Sequence, residues 1–166
     1  MTQHDAGQTR EAPRSGGGPG QPIVVGVDGS ASSIRALRWA VGQAALVGVP
    51  VEAVTAWQSP ETYGMDFGWA PVWSDNGALA AAAEKVLSDS LAQVTDGQQA
   101  GRPPAEVVPR VVQGHPAQVL LEAARGAQLL VVGSRGHGTL AGVLLGSVSQ
   151  HCVHHAPCPV LVVPAG

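Results

Sequence analysis

Apolar residues along this chain fall into short runs that alternate between two periods. The first run, Ile23 to Val27 in PIVVGVDGS, is continuous and β-rich, the pattern of a strand buried on both faces. It stops at Asp28 and Gly29. In ASSIRALRWAVGQAALVG the period lengthens: Ile34, Leu37, Val41 and Ala45 recur at helical spacing, with Ser30 or Ser32 as N-cap and Gly48 as the stop. VEAVTAW, Val51 to Trp57, predicts a second strand. From Gly77, the positions Leu79, Ala83, Val86, Leu87, Ser90 and Val94 predict a second helix, broken by DGQQAGRPP. AEVVPRVV, QLLVVG and PVLVV predict three more strands. Between them lie two short helices. GHPAQVLLEAARG has proline in its first turn and Gly126 past its end, and SVSQHCVHHA is stopped by Pro157.

Strands that alternate with helices in this way predict βαβ units and a mainly parallel sheet. Ligands of such sheets bind beyond the carboxyl ends of the strands, where the strand order reverses. Two glycine-bearing turns fall at strand ends of that kind, VDGS at 27–30 and GSRG at 133–136.

Composition narrows the picture. Residues 1–21 combine Gly, Pro, Gln and charge with little that could enter a core, so they read as a disordered tail ahead of a single domain at 22–166. A net charge of −3 argues against nucleic acid or an anionic membrane surface as partner. No apolar run approaches the length of a membrane span, and the N-terminus has no apolar signal region, so the expectation is a cytoplasmic protein. Two cysteines, Cys152 and Cys158, make no disulfide framework. His151, Cys152, His154 and His155 match no standard tetrahedral zinc spacing, and no metal ligand is assigned to them.

The chemistry concentrates in GSRGHGTLAGVLLGSVSQ, 133–150. A Walker A loop needs a lysine for the β and γ phosphates, and none follows Lys85. GHGTLA satisfies GxGxxG/A on paper, but it follows the fourth strand and lacks an acidic residue about twenty residues on. No GxSxG elbow is present. What fits is a bipartite spacing: Gly133, two residues, Gly136, nine residues, then Gly146 and Ser147. Gly133 and Gly136 allow close backbone approach to a ribose and phosphates, and Gly146 with Ser147 opens a helix whose free N–H groups hold an anion.

This spacing, with VDGS after the first strand, GHP before the third helix and HAPCPVLVV at the end, resembles the ATP-binding branch of the universal stress protein family over about 22–164. The resemblance implies a three-layer, Rossmann-like α/β fold: an open parallel sheet of five strands, order 3-2-1-4-5, with helices on both faces. ATP, with Mg²⁺ arriving on its phosphates, would lie across the ends of strands one and four. Val27 and Asp28 would adjoin the adenosine, Ala56 the adenine, Gly133 and Gly136 the ribose and phosphate. Gly146, Ser147, Val148 and Ser149 would hold phosphates through N–H and hydroxyl groups. Arg135 and His137 occupy variable positions of the motif, and Arg135 is either a solvated loop cation or a phosphate contact. Asp28 serves the ligand, caps the first helix, or does both.

The resemblance further implies a homodimer through the final strand, 159–163, an otherwise hazardous apolar edge. It also implies a stress-response or signalling regulator that works by binding rather than by efficient catalysis. A slow ATPase using Asp28, Arg135 or His137, and a nucleotide-free interaction module, are the alternatives. The loop between the second strand and second helix, 58–76, carries Trp69 and Trp73 close behind Trp57; these either roof the adenine or cover apolar surface.

Overall fold

A computed structural model describes residues 20–59, 75–95, 104–136 and 145–166. Nearly all of the tail, most of the tryptophan-bearing loop with Trp69 and Trp73, and His137, Gly138 and Gly142 lie outside the described residues. The elements follow the expected alternation: β1 (Ile23–Gly26), α1 (Ala31–Val47), β2 (Val51–Trp57), α2 (Asn76–Thr95), β3 (Val107–Gln113), α3 (Pro116–Ala123), β4 (Leu129–Gly133), α4 (Ser147–His155) and β5 (Val160–Val163).

The five strands form one parallel sheet in the order β3-β2-β1-β4-β5. Ile23 of β1 pairs with Val51 on one side and Leu129 on the other, so the chain reverses its lateral direction between β1 and β4. Alternate side chains of β1 feed two cores. Ile23, Val25 and Val27 join Val51, Ala53 and Val131 beneath α1 and α2. Val24 joins Val54, Leu130 and Val132 beneath α3 and α4, with Leu120 and Cys152. Burial on both faces is why β1 and β4 read as unbroken apolar runs.

The helix ends have identifiable causes. Ser30, not Ser32, is the N-cap of α1, and Gly48 closes that helix in the left-handed conformation at φ 70°. The buried stripe of α1 differs from the expected one. It runs through Ala36, Leu37, Ala40, Val41 and Ala44, while Ile34 is only half-buried. Three of those five are alanines, a small-residue contact that a count of large apolar side chains does not register. Asp75 Oδ1 accepts the N–H groups of Gly77 (2.9 Å) and Ala78 (3.3 Å) at the start of α2. Pro116 opens α3, where its missing N–H costs no bond. No helix among the described residues is long and apolar enough to cross a membrane.

Candidate functional site

At the point where the strand order reverses, two loops leave the sheet side by side. After β1, Val27 remains tied to β2 from both sides of its peptide. Its N–H donates to Val54 O (2.9 Å), and the buried Thr55 hydroxyl donates to its carbonyl (2.8 Å). Asp28 follows at the surface, and its Oδ1 accepts the Ser30 N–H at 2.9 Å. The turn needs Gly29, whose φ is 81°. Ser30 then accepts the Ser33 N–H (3.3 Å), while the Ser33 hydroxyl donates to Ser30 O (3.0 Å). Asp28 therefore braces the turn, Ser30 caps the helix, and the Asp28 carboxylate stands at the rim.

The loop after β4 is gripped by two helix N-termini. Arg135 O accepts the Ser32 hydroxyl, and the Ser30 hydroxyl lies 3.4 Å from the same oxygen. One residue earlier, Ser134 O accepts the Gly146 N–H (2.7 Å) and the Ser149 hydroxyl (3.0 Å), while Ser134 N donates to Val163 O of β5 (2.7 Å). The glycines here answer to space. A Cβ on Gly133 would collide with the Ser32 hydroxyl and lie 2.8 Å from Ser32 C and Ser33 N; one on Gly136 would lie 2.5 Å from Asp28 Oδ2. Close approach is thus required, and at these two positions the approaching group is the first turn of α1 and its preceding aspartate.

Gly146 is the N-cap of α4, and the first bond back into that helix is Gln150 N–H to Gly146 O (2.9 Å). The N–H groups of Ser147, Val148 and Ser149 precede it and have no intrahelical acceptor, so they present the positive end of the helix dipole. Ser147 is exposed. Ser149 is buried, and its hydroxyl donates inward to Ser134 O and Gly146 O, so toward the cavity it offers its N–H rather than its hydroxyl proton.

Between these parts lies a cavity of about 330 Å³. Val27, Asp28, Ala56, Gly133, Arg135, Gly136, Gly146, Ser147, Val148 and Ser149, the positions selected from sequence, all line it. Val54, Ala56, Pro116, Leu120 and Val132 supply an apolar shelf to its lining. Gly26 belongs to that shelf, because a Cβ there would come within 2.9 Å of Leu120 Cδ1. The α4 N-terminus and Arg135 line the same cavity, and Val148 of that first turn packs against the cluster that holds Val54, Leu120 and Val132. Arg135 Nε is buried and has no hydrogen-bond partner. Asp28 and Arg135 are the only ionisable side chains among the described lining residues. Such a cavity suits a ligand with a flat apolar part and an anionic end.

Thr55, Ser134 and Leu120 build this site without having been singled out in the sequence. The alternation of β2 could have shown that Val54 and Ala56 share a face, which leaves Thr55 on the other to brace β1. Ser134 sends no sequence signal of its own, since its role is to receive bonds at its carbonyl.

The sequence model of the universal stress protein family matches residues 20–164. The chain belongs to the universal stress protein family. Among its relatives, universal stress protein Rv1996 of Mycobacterium tuberculosis is 40% identical over 155 residues, covering 92% of this chain and 46% of the relative. Universal stress protein Rv2005c of the same organism is 40% identical over 144 residues, covering 85% and 44%. The chain thus spans about half the length of the curated relatives it matches. Among solved structures, the universal stress protein UspA of Lactobacillus plantarum shares the fold at a TM-score of 0.65 and 20% identity, over 88% of this chain and 99% of that one. A universal stress protein solved in complex with cAMP superposes at a TM-score of 0.55 with 30% identity, over 90% of this chain and all of that one (100%).

Proposed function

We propose that this universal stress protein domain binds an adenine nucleotide, ATP accompanied by Mg²⁺, in the cavity above β1 and β4, and acts as a nucleotide-dependent regulator. The carrying observation is the make-up of that cavity: the apolar residues Val54, Ala56, Pro116 and Leu120 line the same space as Ser147, Val148 and Ser149, whose N–H groups have no intrahelical acceptor. The shelf takes the base. The helix mouth takes phosphate oxygens, with Arg135 as the cation among the described lining residues. A relative of 30% identity solved with cAMP supports an adenine nucleotide as the class. The triphosphate rests on the bipartite glycine spacing and on the cationic Arg135 in the lining of the same cavity.

Binding, not turnover, is the activity proposed. A general base for the attacking water would have to reach the phosphates, and Asp28, the carboxylate at the rim, already accepts the Ser30 N–H. Regulation through a second copy is part of the same reading. β5 closes the sheet at an edge, and its four residues are only half-buried, which leaves strand pairing with a mate open. Calorimetry of folded, nucleotide-free protein with Mg²⁺ and ATP tests the ligand, and absence of affinity at millimolar nucleotide refutes it. Light scattering at micromolar protein tests the homodimer, and a monomer mass refutes that. Multiple turnover abolished by Asp28→Ala, with binding retained, would favour the slow-ATPase reading instead.

A further inference from the structure

The cavity draws on the first turn of α4. Farther along the helix stand three exposed histidines, His151, His154 and His155, that the proposed function leaves unused. His151 and His155 are four residues apart and share one helix face. Their rings stack, with centroids 4.3 Å apart and planes inclined by 24°; this puts the two rings within reach of one another, and a turn of the His151 ring brings both Nε2 atoms onto one ion. His155 Nδ1 lies 3.0 Å from the carbonyl oxygen of His151. A carbonyl only accepts, so in this contact Nδ1 carries the proton, which leaves Nε2 as the ring nitrogen open to a metal. Ligating histidines are held in this way: one ring nitrogen donates to a carbonyl, which fixes tautomer and ring orientation, and the other nitrogen faces the metal.

His154 stands apart from the pair. It meets His155 edge-on, with centroids 6.3 Å apart and planes at 67°, and one residue along a helix turns the side chain by about 100°. Among the described residues no three His, Cys, Asp or Glu side chains gather around a common point. A closed structural cage is therefore not the geometry on offer. Two imidazole nitrogens on an exposed face, with water in the other positions, make an open and exchangeable one. The donor set selects borderline ions such as Zn²⁺ over Mg²⁺, which prefers oxygen ligands.

We propose that His151 and His155 form a two-imidazole chelate for a borderline divalent transition-metal ion on the exposed face of α4. The site is distinct from the cavity and independent of its ligand. Chelation would clamp the last turn of α4 just before Pro157, where the chain turns into β5.

The probe is Zn²⁺, titrated by calorimetry into the full-length, untagged, nucleotide-free protein, with His4→Ala in every sample to remove the histidine of the tail. One saturable Zn²⁺ per chain is expected. His151→Ala and His155→Ala should each lower affinity at least about tenfold, while His154→Ala should change it by less than about twofold. On the unsubstituted pair, imidazole ¹⁵N NMR should show Zn²⁺ shifting Nε2 of His151 and His155, a reading that needs no alanine variant. Absence of a saturable site, retained affinity in either His151→Ala or His155→Ala, or an equal loss in His154→Ala would overturn the proposal.

Discussion

Gly133→Ala and Gly136→Ala add the same methyl group three residues apart and should fail in different ways. Neither glycine has a positive φ, so the backbone conformation costs alanine nothing and only the added atom matters. At Gly133 that atom would lie 2.8 Å from Ser32 C and from Ser33 N, against an optimum of about 3.5–4.0 Å for such contacts. Both are backbone atoms of the first turn of α1, which cannot rotate aside, so helix and strand must separate. Overpacking of this kind costs about 1–3 kcal/mol, and displacing the Ser32 hydroxyl from Arg135 O adds about 1 kcal/mol. At roughly 2–4 °C per kcal/mol for a domain of this size, the melting temperature should fall by roughly 4–16 °C. At Gly136 the atom met is Asp28 Oδ2, the end of a rotatable side chain, with Asp28 Cγ next at 3.8 Å. Gly136→Ala should therefore cost less than about 1 kcal/mol in stability, yet displace the carboxylate at the cavity rim and weaken ATP binding. Differential scanning calorimetry without nucleotide reads the first effect, and titration with ATP reads the second. Melting of Gly133→Ala within about 1 °C of the parent would refute the argument from close approach.

Arg135→Gln should lower affinity for ATP about tenfold or more and leave adenosine unaffected, because a charge-assisted bond to phosphate is lost; equal losses for both ligands in calorimetry would contradict this. Thr55→Val removes the donor to Val27 O inside the sheet and should cost about 1–3 kcal/mol by urea unfolding, with a negligible change counting against the bracing role. Burial raises the Cys152 thiol from 9.0 to about 11, so the native state holds its proton where the unfolded chain releases it. That stabilisation is complete below pH 9 and is lost as pH rises through 9 toward 11, so stability should decline over that window and Cys152→Ser should flatten the decline. In the folded protein at pH 8, alkylation should reach the partly exposed Cys158 before Cys152.

How far the sequence discloses this molecule depends on where each signal resides. β1 and β4 were legible because burial on both faces leaves no polar position in the run. α3 was legible because Pro116 marks its start. The strand order was not readable from periodicity, which is local, and came from the resemblance carried by the glycine spacing. Within the site, the ten positions expected to converge do line one cavity, but the reason for the glycines is only partly visible in the chain. Residue spacing shows that something approaches Gly133; it does not show that Ser32, a hundred residues earlier, is what approaches. Ser149 is the opposite case. Its place in the helix mouth was legible, whereas the inward turn of its hydroxyl depends on Ser134 O, a carbonyl positioned by β5 pairing.

Ser134 also sets the distance between two parts of the protein that would otherwise be read separately. Its amide is held by the edge strand at Val163, and its carbonyl is held by the opening turn of α4. The outermost strand and the helix mouth of α4 are therefore joined in series through one residue. A shift of that edge and a shift of the helix mouth thus bear on the same residue. Mechanically, the edge strand and the cavity share one linkage two hydrogen bonds long.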